Sequence, residues 1–267
     1  MRPKKRLGQH FLRHRAILER IADALAPAPG ELVLEIGPGQ GTLTAVLAAR
    51  GARVVAIEKD RELIAPLRAR FPAVTVVEGD ALELDWRAAA GVGSAEPLLV
   101  TGNIPYSITS PLLDRALEPP RPRRIVFLVQ KEVAERVAAV PGTPAYGALT
   151  VGVQSVARVE KLFGVPAGAF HPPPKVDSAV LRLTPLERPA LGDAEVAPFR
   201  RMVVGLFGFR RKQLLRGLRE LTGWPAEQAG GVLERAGVVA SARPETLEPA
   251  DFLRLLGAVV DAGWLAR

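Results

Sequence analysis

Short apolar runs that alternate with helical stretches constrain the fold of this chain more than any other feature. Each run has four or five mostly apolar residues in succession, as strands buried on both faces must have. The runs lie at residues 32–36, 53–57, 74–77, 97–100 and 125–129. The intervening patterns predict helices at about 42–50, 60–70, 107–117 and 131–139. This alternation predicts an α/β, Rossmann-like domain with a mostly parallel sheet and helices on both faces.

The second half of the chain changes character. Residues 158–165 and 178–183 are two more extended runs, which we expect to close the sheet as an antiparallel pair. Residues 186–193 are polar and rich in turn formers, and from Val196 onward the pattern is helical only. The sequence therefore predicts a domain at 1–187 and a small all-helical domain at 188–267.

Composition narrows the classes of partner. With 36 basic and 28 acidic residues the net charge is +8, which favours a polyanion such as nucleic acid. The chain has no Cys, and its three His have no metal-binding spacing, so we expect no metal. No signal-peptide core follows the basic start, and no window approaches a membrane span. We expect a soluble cytoplasmic protein that does not bind membranes and is a monomer.

A glycine turn follows the first predicted strand. The segment "VLEIGPGQGTLT" at 33–44 places Gly37, Gly39 and Gly41 between strand and helix, where the backbone turns sharply and approaches a ligand. The spacing G-x-G-x-G lacks the third glycine position of the dinucleotide fingerprint, which disfavours a pyrophosphate. A tight turn without a ligand would use the same glycines.

Acidic residues stand at the ends of the neighbouring strands. Glu58 is placed to accept both hydrogen bonds of a ribose diol, and Asp80 to accept from the amine of adenine, with Ala81 against the ring. Glu35 lies inside the first strand. Solvated charges are the alternative for each acid alone. Together they favour an adenosyl ligand without phosphates and resemble the S-adenosylmethionine site of class I methyltransferases.

The segment "TGNIPYSIT" at 101–109 ends the fourth strand and supplies groups for a planar substrate. If the Asn103 side-chain oxygen and the Ile104 carbonyl accept the two N–H bonds of a purine amine, its lone pair is aimed at the methyl group. Pro105 fixes the backbone, and Tyr106 offers a ring for base stacking. A strand-to-helix turn with a core Tyr is the alternative.

Seven separated segments resemble one family, the adenine-N6 dimethyltransferases of small-subunit ribosomal RNA. They are "KKRLGQHFL", "LEIGPGQGTLT", "AIEKD", "EGDAL", "GNIPYSITSPLL", "QKEVAERV" and "FHPPPKVDSAVLRL". The resemblance implies dimethylation of two adjacent adenines in the 3′-terminal hairpin of 16S rRNA during small-subunit assembly, with S-adenosylhomocysteine as the product. Related large-subunit methyltransferases share fewer of these segments.

The resemblance also assigns residues. It implies that Gln9, His10, Leu12 and Lys59 join Glu35, Gly37, Gly39, Gly41, Glu58, Asp80, Ala81 and Asn103 at the cofactor. His10 stands where the family often has Asn. Phe170, which opens "FHPPPKVDS", is expected to pack on the target base opposite Tyr106.

Two clusters of basic residues predict the RNA-binding surface. Residues 1–15 and 200–219 carry six and seven Lys or Arg and no acid. Solvation of a helix face is the alternative for such clusters. The residues expected to contact RNA are Arg6, Arg123, Arg124, Arg200, Arg201, Arg210, Arg211, Lys212 and Arg216.

Two other functions stay open. One is a ribosome-assembly factor with vestigial methylation, which intact Asn103, Tyr106, Glu58 and Asp80 argue against. The other is an amino-methyltransferase for DNA or a protein Gln amide, since such enzymes use a similar Asn-Pro-x-Tyr arrangement. The lack of a separate DNA-reading domain disfavours it.

Overall fold

The computed structural model describes residues 3–4, 7–187 and 189–264. Its strands are β1 (Phe11–Leu12), β2 (Leu32–Ile36), β3 (Arg53–Glu58), β4 (Thr75–Glu78), β5 (Leu99–Asn103), β6 (Arg124–Gln130), β7 (Ala157–Val165), β8 (Phe170–His171) and β9 (Ser178–Pro185). Its helices are α1 (Arg15–Leu25), α2 (Thr42–Ala49), α3 (Arg61–Arg70), α4 (Trp86–Ala90), α5 (Thr109–Ala116), α6 (Lys131–Val137), α7 (Ala148–Gln154), α8 (Val196–Gly208), α9 (Leu214–Thr222), α10 (Ala226–Arg235) and α11 (Pro249–Asp261).

A seven-stranded sheet forms the centre of the first unit. Its strand order is β4-β3-β2-β5-β6-β9-β7, with β2 to β6 parallel and β9 antiparallel to β6. All five residues of β2 are buried, as a central strand covered on both sides requires. The predicted mixed α/β fold is confirmed.

The order of the strands places a binding crevice. The strand order reverses at β2, because β3 and β4 lie on one side of it and β5 and β6 on the other. Ligands of open α/β sheets bind at such a reversal. Gly102 lets β5 run close to β2, because a Cβ on Gly102 would overlap the carbonyl oxygen of Ile36. The carboxyl ends of β2, β3, β4 and β5 therefore meet at one edge.

The chain divides into two compact units, Met1–Ala134 with Val159–Pro185 and Glu135–Arg158 with Leu186–Arg267. This differs from the sequence-based boundary at 187/188, because residues 135–158 belong with the C-terminal helices. Tyr146 is fully buried in the second unit, and its hydroxyl donates to the carbonyl of Leu247 at 2.7 Å.

The second unit packs α8 against α7, α9 and α11. Phe199, Met202 and Leu206 are buried on α8, while Phe207 stacks on Phe252 of α11 with ring centroids 5.8 Å apart. The described part of the molecule contains no helix with both the length and the apolar character needed to cross a membrane.

Candidate active site

A pocket opens at the carboxyl edge of the sheet, entirely within the first unit. It is lined by the turn after β2 with Leu43 of α2, the ends of β3, β4 and β5, the segment 104–108 and the segment 7–12. Of the twelve residues predicted to contact a cofactor, eleven line this pocket, the exception being Gly41.

The glycines of the turn after β2 adopt the left-handed conformation. Gly39 has φ +57°, and a Cβ there would come within 2.9 Å of the Phe11 ring, so the turn and the segment 7–12 are in close contact. Gly41 has φ +73°, but a Cβ there would overlap the Phe71 ring. Gly41 therefore serves packing beneath the turn and does not face the pocket.

Glu58 is a buried carboxylate held by the main chain. Its Oε2 accepts from the Gly39 amide at 3.0 Å and its Oε1 from the Asp60 amide at 2.8 Å. Its exposed fraction is 5%, and this burial raises the pKa of Glu58. Each carboxylate oxygen has more than one lone pair, so Glu58 retains acceptor capacity toward a hydroxyl donor in the pocket.

Asp80 and Glu35 differ from Glu58 in their partners. Asp80 forms an ion pair with Lys59, and its Oδ1 accepts from the Leu82 amide at 3.0 Å. Burial would raise the pKa of Asp80, but these bonds lower it. Glu35 accepts from the Thr44 hydroxyl at 2.6 Å, and burial raises its pKa to about 7.

The Asn103 side chain has a fixed orientation. Its Nδ2 donates to the backbone carbonyl of His10 at 2.7 Å. Because a carbonyl oxygen only accepts, the amide nitrogen must face His10, and Oδ1 points away from it. No hydrogen-bond partner of Oδ1 is found among the described residues, and Asn103 lines the pocket. The side chain thus presents an acceptor.

Tyr106 is held at both its ring and its hydroxyl. The ring stacks on His10 with centroids 5.8 Å apart and an interplanar angle of 24°. The hydroxyl shares a hydrogen bond of 2.7 Å with the Ser178 hydroxyl. Burial raises the pKa of Tyr106, so the phenol stays protonated. Ile104 is buried and ties this loop to β6, since its amide donates to the Leu128 carbonyl at 3.0 Å.

Phe170 does not line the cofactor pocket. Its exposed fraction is 5%, and it lies in the hydrophobic core with Leu12 rather than in the pocket. The pairing of β8 with β1 explains this position, because Phe170 is the register partner of Leu12. The expectation that Phe170 packs on the target base stays a prediction.

The predicted basic residues fall into two groups. Residues of the first group form ion pairs or hydrogen bonds inside their own unit. Arg123 pairs with Glu31 at 2.6 Å, Arg124 donates to the Leu25 carbonyl at 2.9 Å, and both lie at the amino end of β6, opposite the pocket edge. Arg210 pairs with Glu245 at 2.6 Å and donates to the carbonyls of Pro144 and Thr143.

The other group is exposed. It comprises Arg201, Arg211, Lys212 and Arg216, whereas Arg200 is half-buried and burial lowers its pKa. Arg216 lies 3.9 Å from Glu220, too long for a strong pair at an exposed site. Arg6 lies outside the described residues. Charge alone does not distinguish the two groups in the sequence.

Several site residues were missed by the sequence reasoning. Phe11 packs under Gly39, and Ser178 holds Tyr106. Ser178 is the last residue of "FHPPPKVDS", and the resemblance of that segment to the family could have indicated that Ser178 lies at the site. Gln9 was predicted at the cofactor, and although it lines the pocket, its amide bonds Asp60 and Lys4. Only long-range contacts reveal that arrangement.

The fold and the pocket together define a class I methyltransferase, with the glycine turn after β2 and carboxylates at the next two strand ends. Residues 1–257 match the family model described as ribosomal RNA adenine dimethylase. The ribosomal RNA small subunit methyltransferase A of Acidithiobacillus ferrooxidans is 44% identical over 98% of this chain and 96% of that protein. This chain belongs to the ribosomal RNA adenine dimethylase family.

Solved structures agree with this assignment. A dimethyladenosine transferase from Plasmodium falciparum superposes with a TM-score of 0.79 at 30% identity, covering 95% of this chain and 98% of that one. The 23S rRNA methyltransferase ErmE superposes with a TM-score of 0.69 at 33% identity, covering 94% and 99%. The predicted class of enzyme, an rRNA adenine-N6,N6 dimethyltransferase, is confirmed.

Proposed function

We propose that this chain transfers methyl groups from S-adenosylmethionine to the N6 amines of two adjacent adenines in the 3′-terminal hairpin of 16S rRNA. The reaction takes place in the cytoplasm as the small subunit assembles. The identity to a small-subunit methyltransferase over nearly the whole chain supports the choice of 16S rRNA. The orientation of the Asn103 amide is the observation that carries the chemistry.

The pocket residues fit an adenosyl ligand. Glu58 is buried, and within the described chain it is held by backbone amides and not by a cation, so its oxygens suit the two hydroxyls of a ribose. Asp80 and Ala81 lie at the neighbouring strand end, where an acceptor and an apolar surface suit adenine. The turn at Gly37, where a Cβ would meet no atom within 4 Å, borders open space for the amino-acid portion.

Asn103 orients the target amine. S-adenosylmethionine supplies a methyl group on a positively charged sulfur. The lone pair of an adenine amine is delocalised into the ring, so the amine is a weak nucleophile. Asn103 Oδ1 and the Ile104 carbonyl accept its two N–H bonds and turn the lone pair away from the ring. This is preorganised orientation and electrostatic stabilisation. The N–C bond forms as the S–C bond breaks, S-adenosylhomocysteine leaves, and the methylated amine releases its proton to water without a general base.

Tyr106 holds the base. Its ring is fixed by His10 on one side and by Ser178 at the hydroxyl, so little side-chain entropy remains to be lost when a base stacks on it. Stacking on an aromatic side chain is worth about 1–3 kcal/mol per base. Pro105 and Tyr106 line the same pocket as Asn103, so base and amine are held together.

Phosphate contacts are assigned to the exposed basic residues of the second unit. Arg201, Arg211, Lys212 and Arg216 are exposed and provide the positive field that RNA requires. Arg210, Arg123 and Arg124 are excluded from this set because they bond acceptors within their own units.

Mass spectrometry of 16S rRNA tests the proposal. Cells that lack the protein are complemented with wild type or with Asn103→Ala. We expect dimethyladenosine in the 3′ hairpin with wild type and little or none with Asn103→Ala. Full dimethylation without the protein, or with the variant, would contradict the proposal. Full growth with the unmethylated variant would favour an assembly role that does not need the chemistry.

A further inference from the structure

The carboxylate of Asp60 joins three parts of the first unit. It lies two residues beyond Glu58, and its exposed fraction is 4%. Its Oδ1 accepts from the Glu62 amide at 3.2 Å and so caps the start of α3. Lys4 Nζ lies 2.6 Å from the same oxygen, and Gln9 Nε2 donates to Oδ2 at 2.8 Å.

Gln9 completes the connection with the other end of its amide. Gln9 Oε1 accepts from the Lys4 backbone amide at 2.8 Å while Nε2 bonds Asp60. Lys4 also pairs with Glu62 at 2.8 Å. We call Lys4, Gln9 and Asp60 the clasp. It fixes the chain before residue 10 to the end of β3, beside the carboxylate of Glu58.

Beyond the clasp, residues 10–12 attach the chain to the side of the pocket that holds Asn103. The His10 carbonyl accepts from Asn103, and His10 Nδ1 donates to the Pro172 carbonyl at 2.8 Å. Phe11 and Leu12 then pair with β8. The segment 7–12 therefore spans the pocket from the clasp to Asn103, and every residue in it lines the pocket.

We propose that Asp60 is a positioning residue for methyl transfer, which holds the segment 7–12 across the cofactor pocket and thereby keeps the His10 carbonyl where it orients Asn103. The expected effect on methyl transfer rests on the proposed function. The positioning of the segment 7–12 rests on the geometry of the clasp alone. Loss of the clasp frees one end of the segment. Cofactor release then becomes faster, and Asn103 adopts the productive orientation less often.

Asp60→Asn is the test variant. Asn keeps one oxygen for the cap of α3, and Asn and Asp are about equal as N-caps. It presents an amide NH₂ to the NH₂ of Gln9 and removes the charge that Lys4 contacts. Asp85→Asn is the matched control, because Asp85 caps α4 by accepting from the amides of Arg87 and Ala88 and is not bonded to residues 7–12.

The double variant Asp60→Asn with Gln9→Glu reverses the direction of the hydrogen bond. The amide introduced at position 60 would donate to the carboxylate introduced at position 9, and that carboxylate would still accept from the Lys4 backbone amide. We therefore expect partial rescue, which a general loss of stability would not show. Circular dichroism and thermal unfolding of all variants establish that each one folds.

Three readouts are compared. Amide hydrogen exchange of residues 7–10 in the free protein should rise about tenfold in Asp60→Asn, the scale for one missing hydrogen bond to a charged group. Dissociation of S-adenosylmethionine should be faster by a similar factor, and the single-turnover rate on small-subunit particles should fall. Asp85→Asn should match wild type in all three.

Equal exchange and equal cofactor release in Asp60→Asn and Asp85→Asn would overturn the inference, as would a double variant no closer to wild type than Asp60→Asn. Failure of the proposed function looks different. If wild type does not bind S-adenosylmethionine, the cofactor assignment is wrong, while the exchange of residues 7–10 in the free protein still decides whether the clasp exists.

Discussion

The strand-end pocket of the first unit and the basic helices of the second unit were both predicted from the sequence, and they differ in how their polar side chains are held. In the pocket, backbone groups fix two of the functional side chains: the Gly39 and Asp60 amides fix Glu58, and the His10 carbonyl fixes Asn103. On α8 and the turn after it, identical charges have unlike roles. Arg210 is bonded to three acceptors, whereas Arg211 is exposed.

The difference shows what kind of sequence information is reliable. A motif at a strand end specifies the position of the backbone, because parallel strands end at one edge of a sheet. A run of like charges specifies only composition. The acid that pairs with Arg210 is Glu245, 35 residues away, and nothing near Arg210 in the sequence indicates it.

Asn103→Ala gives the largest expected effect and tests the pocket side of the comparison. Loss of one preorganised polar group at a reaction centre slows the chemical step by about 10²- to 10³-fold. Single-turnover methylation of small-subunit particles measures it. RNA affinity and folding should be close to wild type. Asn103→Asp keeps an acceptor oxygen and should retain more activity than Ala; a wild-type rate in Asn103→Ala would contradict the mechanism.

Glu35→Gln tests the electrostatics beneath the pocket. Burial raises the pKa of Glu35 to about 7 from an ordinary value of 4.5, so the folded protein favours the protonated form. The unfolded chain releases this proton at lower pH than the folded one, so wild-type stability falls as pH rises from about 4.5 to about 7 and then levels off. Gln mimics the protonated form and still accepts from Thr44.

The free energy of unfolding of Glu35→Gln minus that of wild type should therefore be larger at pH 8 than at pH 5, by roughly 1–3 kcal/mol. Urea unfolding at the two pH values measures the gain. If the stability difference between variant and wild type is the same at pH 5 and pH 8, the pKa of Glu35 is not raised in the folded state.

Particular residues show how far the sequence could predict the structure. Residues 32–36 were predicted as a strand and form β2, because a strand buried on both faces needs a mostly apolar run. Eleven of twelve predicted cofactor residues meet in one pocket. Gly41 lies outside the pocket because it packs against the Phe71 ring, and Phe170 is buried because β8 pairs with β1. Both causes are contacts between residues distant in sequence.

The boundary of the helical unit also depends on contacts between residues distant in sequence. Residues 135–158 belong to it although the sequence places them before the linker, since α7 buries its apolar side chains against α8 and α11. The two-residue strands β1 and β8 were not predicted, because two residues are too few for a periodic pattern. Local pattern thus locates the pocket, and long-range pairing decides which residues enter it.

Arg210→Ala and Arg211→Ala compare a bonded arginine with an exposed one in the second unit. Arg210→Ala removes an ion pair and two hydrogen bonds at a partly exposed site, so we expect a loss of about 1–2 kcal/mol in the free energy of unfolding. Arg211→Ala should stay within about 0.5 kcal/mol of wild type. Urea unfolding of both variants at one pH is the measurement. Equal losses would contradict the division into two groups.

The smallest expected effect comes from Arg211→Ala combined with Lys212→Ala, which should weaken RNA binding and leave unfolding unchanged. Removal of one phosphate contact lowers the slope of log affinity against log salt by roughly 0.7 to 0.9, so the removal of both is resolved by a titration over several salt concentrations. Arg235→Ala with Arg243→Ala is the control, since it removes two exposed positive charges from the same unit outside residues 200–219. An unchanged slope in the test pair would show that its residues are only solvated charges. An equal decrease in the control would show that net charge, rather than this surface, attracts the RNA.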